Sequence, residues 1–334
     1  MISKVERIIV YAVLTSFFIL AIPFDLSITQ GLYQPDNVFG KAFELLGEVP
    51  LYIVAAFALS LLCLYHPNQK QWVDRFLFLL FLALAIGVSA YSGNHTYKLL
   101  VRNGLNVSGG AVSWIIRLGI GAAVFAVGFL PARFLFQKAN PRECFLFGIF
   151  AISCFAASVL LMQGLKMIWL RPRYRTLVAL QEVGAIPSAN EHWLPFYMPQ
   201  FFTSFAKYEA GGEYGFTAEQ IAGAMERLHI TEWGQEEFYS FPSGHSMNSM
   251  MALTLFPLLN LFPGTTKGKR YPLICRIVVY VFATTVAFSR ILRGAHNATD
   301  VTTGLLLGFL IVDFGTAFLY ERFLRKRFVI KTEE

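Results

Sequence analysis

Eight stretches of this 334-residue chain are long and apolar enough to require a lipid solvent: 7–24, 49–65, 75–91, 110–130, 144–163, 244–262, 271–289 and 300–320. A bilayer core is crossed by about 20 largely apolar residues in a helix. Backbone groups in lipid must pair within their own segment, so the chain is confined to helices or a closed barrel. Unbroken apolar runs, rather than alternating ones, select helices. Composition agrees: 55% of residues are hydrophobic, 15% are charged and 33 are Phe, whereas soluble domains carry about 25% charged residues. The expected fold is therefore all-α, a polytopic transmembrane bundle of about eight spans. The first run is expected to be a retained span, because no small-x-small cleavage site precedes "IPFDLSITQ".

The net charge of +7 has a membrane origin. Lys4 and Arg7, Lys70 and Arg75, Arg133 with Lys138 and Arg142, Lys267 with Lys269 and Arg270, and the tail "ERFLRKRFVIK" all fall on one side of an eight-span chain. Basic residues mark the cytoplasmic side, so both termini are expected there, and no nucleic-acid partner is implied. Cys63, Cys144, Cys154 and Cys275 lie in or beside apolar runs without CxxC spacing, and read as small core hydrophobes.

The opposite side holds one large loop, 174–240, with nine acidic and three basic residues. In "FTAEQIAGAMERL", Thr217 and Gln220 form a capping-box pattern that predicts a short helix. Trp193, Phe196, Tyr197, Phe201 and Phe202 are expected at the bilayer interface or in the core of a folded cap. The resulting division is 1–140, membrane spans without motifs; 141–322, a catalytic core holding the inserted loop; and 323–334, a basic tail.

Three polar islands converge on that same outer side: "LKMIWLRPRYR", "SFPSGHS" and "FSRILRGAHNATD". They hold Lys166, Arg171, Arg173, Arg175, Arg290 and Arg293 as cations, with His245 and His296 for acid–base or nucleophilic work. Ser243 and Gly244 open a span, where free backbone N–H groups can meet an anion. Asp300 follows His296 by four residues, one helical turn away, where a carboxylate can hold an imidazole. Cations around two histidines suit phosphoryl transfer, which mainly needs charge stabilisation and in-line placement. Two His and one Asp make a poor zinc set, and no metal or other cofactor is expected.

These islands resemble the motifs of the type-2 phosphatidic acid phosphatase superfamily, which includes lipid phosphate phosphatases, bacterial acid phosphatases and vanadium haloperoxidases. Pro242-Ser243-Gly244-His245 matches the second motif, and Ser289-Arg290, His296 and Asp300 match the third. The first matches at Lys166 and Arg173, but Tyr174 stands where that motif has Pro. Helical phase favours Arg173, seven residues or about 700° from Lys166, with Arg171 as the alternative. The resemblance implies a six-span catalytic core with extra N-terminal spans. It also implies a metal-independent membrane phosphatase acting on a lipid phosphate at the extracytoplasmic face; the compact chain and short loops fit a bacterial inner membrane. His296 is the implied nucleophile, Asp300 its orienting carboxylate and His245 the acid and base. Lys166, Arg173, Ser243, Gly244 and Arg290 are the implied phosphate ligands, with Arg171 and Arg293 in reserve. A lipid phosphotransferase, a phosphatase for soluble sugar phosphates, and a transporter drawing on the intramembrane Arg117 are the rivals.

Overall fold

A computed structural model describes residues 2–66, 70–105, 110–201, 204–230, 232–261 and 270–325. Among them there is no strand. Helix α1, Lys4–Ala21, starts at Ser3, whose hydroxyl accepts from the Glu6 N–H, and continues through a 3₁₀ turn at Ile22–Phe24 into α2, Asp25–Leu32. Then come α3, Val38–Leu46, and α4, Val49–Tyr65. Helix α5, Gln71–Arg102, has 32 residues and extends well past the apolar run that predicted it. At 1.5 Å per residue it is about 48 Å long, against a hydrocarbon core of about 30 Å. Its last turns therefore carry polar residues beyond that thickness. Helix α6 is Ala111–Phe134 and α7 is Pro141–Trp169. Pro141 is pre-set for a first turn, and Leu170, at φ 41°, ends α7 in the left-handed region just before Pro172.

The large loop is folded. It contains α8, Tyr174–Glu182, one turn (α9) at Ser204–Lys207, and α10, Ala218–Leu228. The Thr217–Gln220 capping box forms with both of its hydrogen bonds. Leu177, Leu180, Tyr208, Phe216, Ile221 and Phe238 make its core, with Trp193 packed against them. Tyr197 and Phe201 are exposed; Phe196 meets Phe18 of α1 edge-on at 5.0 Å.

The sixth expected span takes an irregular form. Helix α11, Gly244–Ser249, passes into a 3₁₀ segment, Met250–Leu261. Helices α12, Arg270–Leu292, and α13, Ala298–Phe314, complete the bundle, and α13 runs on as a π-helix to Arg325. Seven helices among the described residues are long and apolar enough to cross a membrane. Gly244–Leu261 is not one of these, although six α and twelve 3₁₀ residues reach about 33 Å. Lys267, Lys269, Phe202 and the tail beyond Arg325 lie outside the described residues.

The tight seam of the bundle is between α11 and α13. A Cβ on Gly304 would stand 2.4 Å from the Ser243 carbonyl oxygen, and one on Gly308 2.6 Å from that of Met247. Only glycine allows this approach, and it brings the second and third polar islands together. Cys144 and Cys154 sit in the core of α4 and α7 as free thiols.

Candidate active site

Helix α12 ends where Gly294, at φ 58°, reverses the chain, and α13 starts at Asn297 in a capping box with Asp300. His296 is fixed in the short link between them and is 1% exposed. Its Nδ1 lies 2.5 Å from the Ser240 carbonyl oxygen. A carbonyl can only accept, so Nδ1 carries the hydrogen and Nε2 keeps its lone pair. Burial, then the nearby Arg290, Arg173 and Lys166 charges, hold this imidazole well below its usual range, in the neutral form a nucleophile needs.

Asp300 does not hold the ring directly, which corrects the orienting role read from its spacing. Oδ2 accepts from the Ser240 hydroxyl at 2.5 Å and from the Asn297 N–H at 2.8 Å, and Oδ1 from Arg171 Nη1 at 2.6 Å. Having become the cap of its own helix, the carboxylate reaches His296 only through Ser240, whose carbonyl grips the ring.

Lys166, Arg173, His245, Arg290 and His296 share the wall of one cavity of about 1070 Å³. Lys166 stands beside Gly244, whose Cβ, if present, would be 3.4 Å from Nζ. The Nε atoms of Arg173 and Arg290 are buried without a hydrogen-bond partner. Unsatisfied buried donors are costly and call for an acceptor. Burial pushes the Arg173 guanidinium down to about 9, against the opposing pull of Glu237, so it stays cationic at neutral pH.

The remaining expected residues are placed differently. Arg171 is 1% exposed and bridges Asp25 and Asp300, at 2.9 and 2.6 Å. Arg293 is turned to Glu44 at 3.2 Å. Ser243 donates its N–H to the Asp300 carbonyl at 3.0 Å, and its hydroxyl caps α11. Neither Ser243 nor Gly244 is on the cavity wall; both build the frame beneath it. Arg117 does reach the wall, stacked over Tyr97 at 4.4 Å.

Sequence reading missed the carboxylates. Glu44 is fully buried and meets Arg290 at 2.9 Å, Arg293 at 3.2 Å and Arg175 at 3.6 Å. Glu48 lies 3.3 Å from His245 and 2.8 Å from His95. Asp25 accepts from the Thr299 N–H at 2.8 Å, tying α2 to the start of α13. Glu237 pairs with Arg102 at 3.0 Å and Arg175 at 3.3 Å. Although burial alone would raise it, Glu237 is held well below the usual carboxylate range by Arg175, Arg102 and Arg173. The available signal was Glu44 and Glu48 spaced one turn apart at the head of an apolar run, where charge marks function.

The family model of the PAP2 superfamily matches residues 144–324, more than half of the chain. The chain belongs to the PAP2 superfamily. Phosphatidylglycerophosphatase B of Bacillus subtilis is 38% identical over 81 residues, 23% of this chain and 37% of its own length. Dihydrosphingosine 1-phosphate phosphatase C823.11 of Schizosaccharomyces pombe is 32% identical over 92 residues, 27% of this chain and 22% of its own length. This chain thus spans little more than a third of the one curated relative and under a quarter of the other. No solved structure matches significantly.

Proposed function

We propose that this PAP2 protein hydrolyses the phosphate monoester or diphosphate of a membrane lipid at the extracytoplasmic face, through a phosphohistidine on His296. The observation that carries this reading is the continuity of the cavity. Its wall runs from His245, His296, Lys166, Arg173 and Arg290 to Leu84 and Val88 of α5 and Phe155 and Val159 of α7. A phosphate seated at the cations would leave an acyl or prenyl chain against apolar helix faces. A soluble sugar phosphate has no use for that arm. Both relatives are named for lipid phosphate substrates, in line with this choice.

The chemistry follows from the placement. His296 Nε2 attacks phosphorus while Ser240 holds Nδ1–H. Lys166, Arg173 and Arg290 neutralise the phosphoryl oxygens as charge spreads over them, and the orphaned Nε–H groups of Arg173 and Arg290 find acceptors. His245 protonates the leaving oxygen and then activates water. The basic residues of the loops and the tail support a cytoplasmic position for both termini.

The test is phosphate release by purified protein in detergent, with phosphatidic acid, phosphatidylglycerophosphate, a polyprenyl diphosphate, a lipid A phosphate and glucose 6-phosphate side by side. Lipid substrates are expected to be turned over with water as acceptor, in excess EDTA, and to be inhibited by vanadate. Turnover of the sugar phosphate alone, or a requirement for added divalent metal, would overturn the reading.

A further inference from the structure

His245 is held at both ring nitrogens by the N-terminal half of the chain. Nε2 lies 3.1 Å from the backbone carbonyl oxygen of Glu44, and Nδ1 lies 3.3 Å from Glu48 Oε1. The carbonyl only accepts, so Nε2 carries a hydrogen in either charge state. The nitrogen that gains and loses a proton is therefore Nδ1, and it faces Glu48. The other carboxylate oxygen of Glu48 lies 2.8 Å from His95 Nε2 and accepts from the Tyr52 hydroxyl at 3.1 Å. Glu48, Tyr52, His95 and His245 all border the cavity. Their side chains become more open outward: His245 is 10% exposed, Glu48 13% and His95 29%. None of Glu48, Tyr52 or His95 falls within the residues matched by the family model.

We propose that Glu48 and His95 are positioning residues for the proton that His245 delivers, so that the acid–base unit of this site is His245–Glu48–His95. The inference rests on the proposed function above. In the first half-reaction the Nε2 electron pair of His296 forms a bond to phosphorus. The bond from phosphorus to the lipid oxygen breaks with its pair on oxygen, and the Nδ1 proton of His245 moves to that oxygen. In the second, Nδ1 takes a proton from water as its oxygen bonds phosphorus, and the P–N pair returns to His296. One water is consumed. Glu48 stays ionised throughout and stabilises the imidazolium before each delivery. Tyr52 donates to its other oxygen, His95 Nε2 stands against that same oxygen, and the two fix its direction.

The charges around the unit leave Glu48 in the decisive place. Facing His245 are Glu48, the Glu44 carboxylate, Arg290 of α12, His95 and His296. Facing Glu48 are His245, His95 and Lys166 of α7; facing His95 are Glu48, Glu236 and Arg102. Of these, Glu48 is the anion in reach of Nδ1, while Glu44 already belongs to three arginines.

The experiment compares Glu48→Gln, Glu48→Asp and His95→Gln in the full chain, on a lipid phosphate and on p-nitrophenyl phosphate across pH. Nitrophenolate leaves without being protonated, so its pre-steady-state burst reads His296 attack alone. Glu48→Gln is expected to lower kcat on the lipid about 10²-fold, the scale of general acid catalysis, with KM little changed. Its burst is expected to slow by less than about tenfold, since that step needs no acid. The alkaline limb of the lipid profile should move to lower pH, because the imidazolium has lost its counter-charge. Glu48→Asp should recover part of the rate and the original limb. Equal losses on both substrates, or an unmoved limb, would overturn the proposal. If Glu48→Gln does not fold, His95→Gln decides: it keeps the carboxylate, and a few-fold loss confined to the lipid supports the unit, whereas equal losses overturn it. Failure of the lipid reading itself would show in the wild-type protein, before any variant is compared.

Discussion

Helices α7 to α13 and helices α1 to α6 contribute opposite things to the cavity and the charges packed behind it. The first set, which nearly coincides with the matched residues 144–324, brings His296, His245 and the cations Lys166, Arg171, Arg173, Arg290 and Arg293. The second set brings three carboxylates: Asp25 meets Arg171, Glu44 meets Arg290 and Arg293, and Glu48 meets His245. Arg102 of α5 is the counter-example, a cation paired with Glu237 of the matched half. A cluster of buried guanidinium groups cannot be held by packing alone, since each uncompensated charge costs several kcal/mol. The N-terminal helices are therefore part of the site, and a boundary at residue 140 describes where the motifs end rather than where the active centre ends.

The largest effect is expected from the half that carries the motifs. His296→Ala removes the only lone pair that Ser240 leaves free for attack, and turnover should fall by about 10⁴-fold or more, as when a nucleophile is lost. Because the side chain is not part of an ion pair, thermal unfolding should stay close to wild type. A variant that keeps near-normal phosphate release would break the assignment of chemistry to this half.

Glu44→Ala tests the other half. It leaves Arg290, Arg293 and Arg175 facing one another without their shared carboxylate. Breaking a buried ion pair by removing one partner costs about 3–5 kcal/mol. The expected result is a large drop in the unfolding midpoint in detergent. Stability equal to wild type would show that the carboxylates of the N-terminal helices are not what holds the cations.

The two halves also differed in how far the sequence exposed them. The convergence of Lys166, His245, Arg290 and His296 was legible, because counting apolar runs puts their three islands on one face. The capping box at Thr217 was legible for the same local reason: its two partners are three residues apart. The contacts of Glu44 with Arg175, Arg290 and Arg293 were not legible, because they join segments more than a hundred residues apart and nothing in the spacing of either segment refers to the other. Asp300 shows a further limit. Four residues from His296 is the right distance for an imidazole contact, yet the start of α13 claims the carboxylate as a cap. Helical spacing says which side chains are near, but competition among donors decides which pair forms.

A smaller effect separates the halves by pH. Glu237 is held below the usual carboxylate range chiefly by Arg175, with Arg102 and Arg173 adding to it. A carboxylate depressed on folding contributes stability that is present above its unfolded value, about 4.3. That stability is lost as pH falls from there through the folded value. Glu237→Gln should lower the unfolding midpoint at pH 7 and flatten its dependence on pH below about 5. A variant with the same acid sensitivity as wild type would show that the bridge from Arg102 of α5 to this carboxylate carries no part of it.

The smallest effect concerns the segment 174–240, which belongs to the matched half by sequence but meets the cavity from outside. Glu232, Glu236 and Tyr239 border the same space as His296, so the segment is in place to sort headgroups by what lies beyond the phosphate. It has its own core around Tyr208 and Phe238 and its own capped helix. It also holds Trp193, which donates to Asn297 at 3.2 Å and lies under Arg171. Its acidic excess is a poor lure for phosphate, and this argues for selection at the mouth rather than capture. Replacing 186–232 with a flexible linker keeps Arg173, Arg175 and Glu237 and removes α10. Hydrolysis of a small phosphate ester should survive, while the ranking among lipid phosphates shifts by about tenfold, or 1.4 kcal/mol, the scale of one or two lost headgroup contacts. A folded, active deletion protein with an unchanged lipid ranking would make the segment an inert insertion. Selectivity would then reside in the helices that line the rest of the cavity.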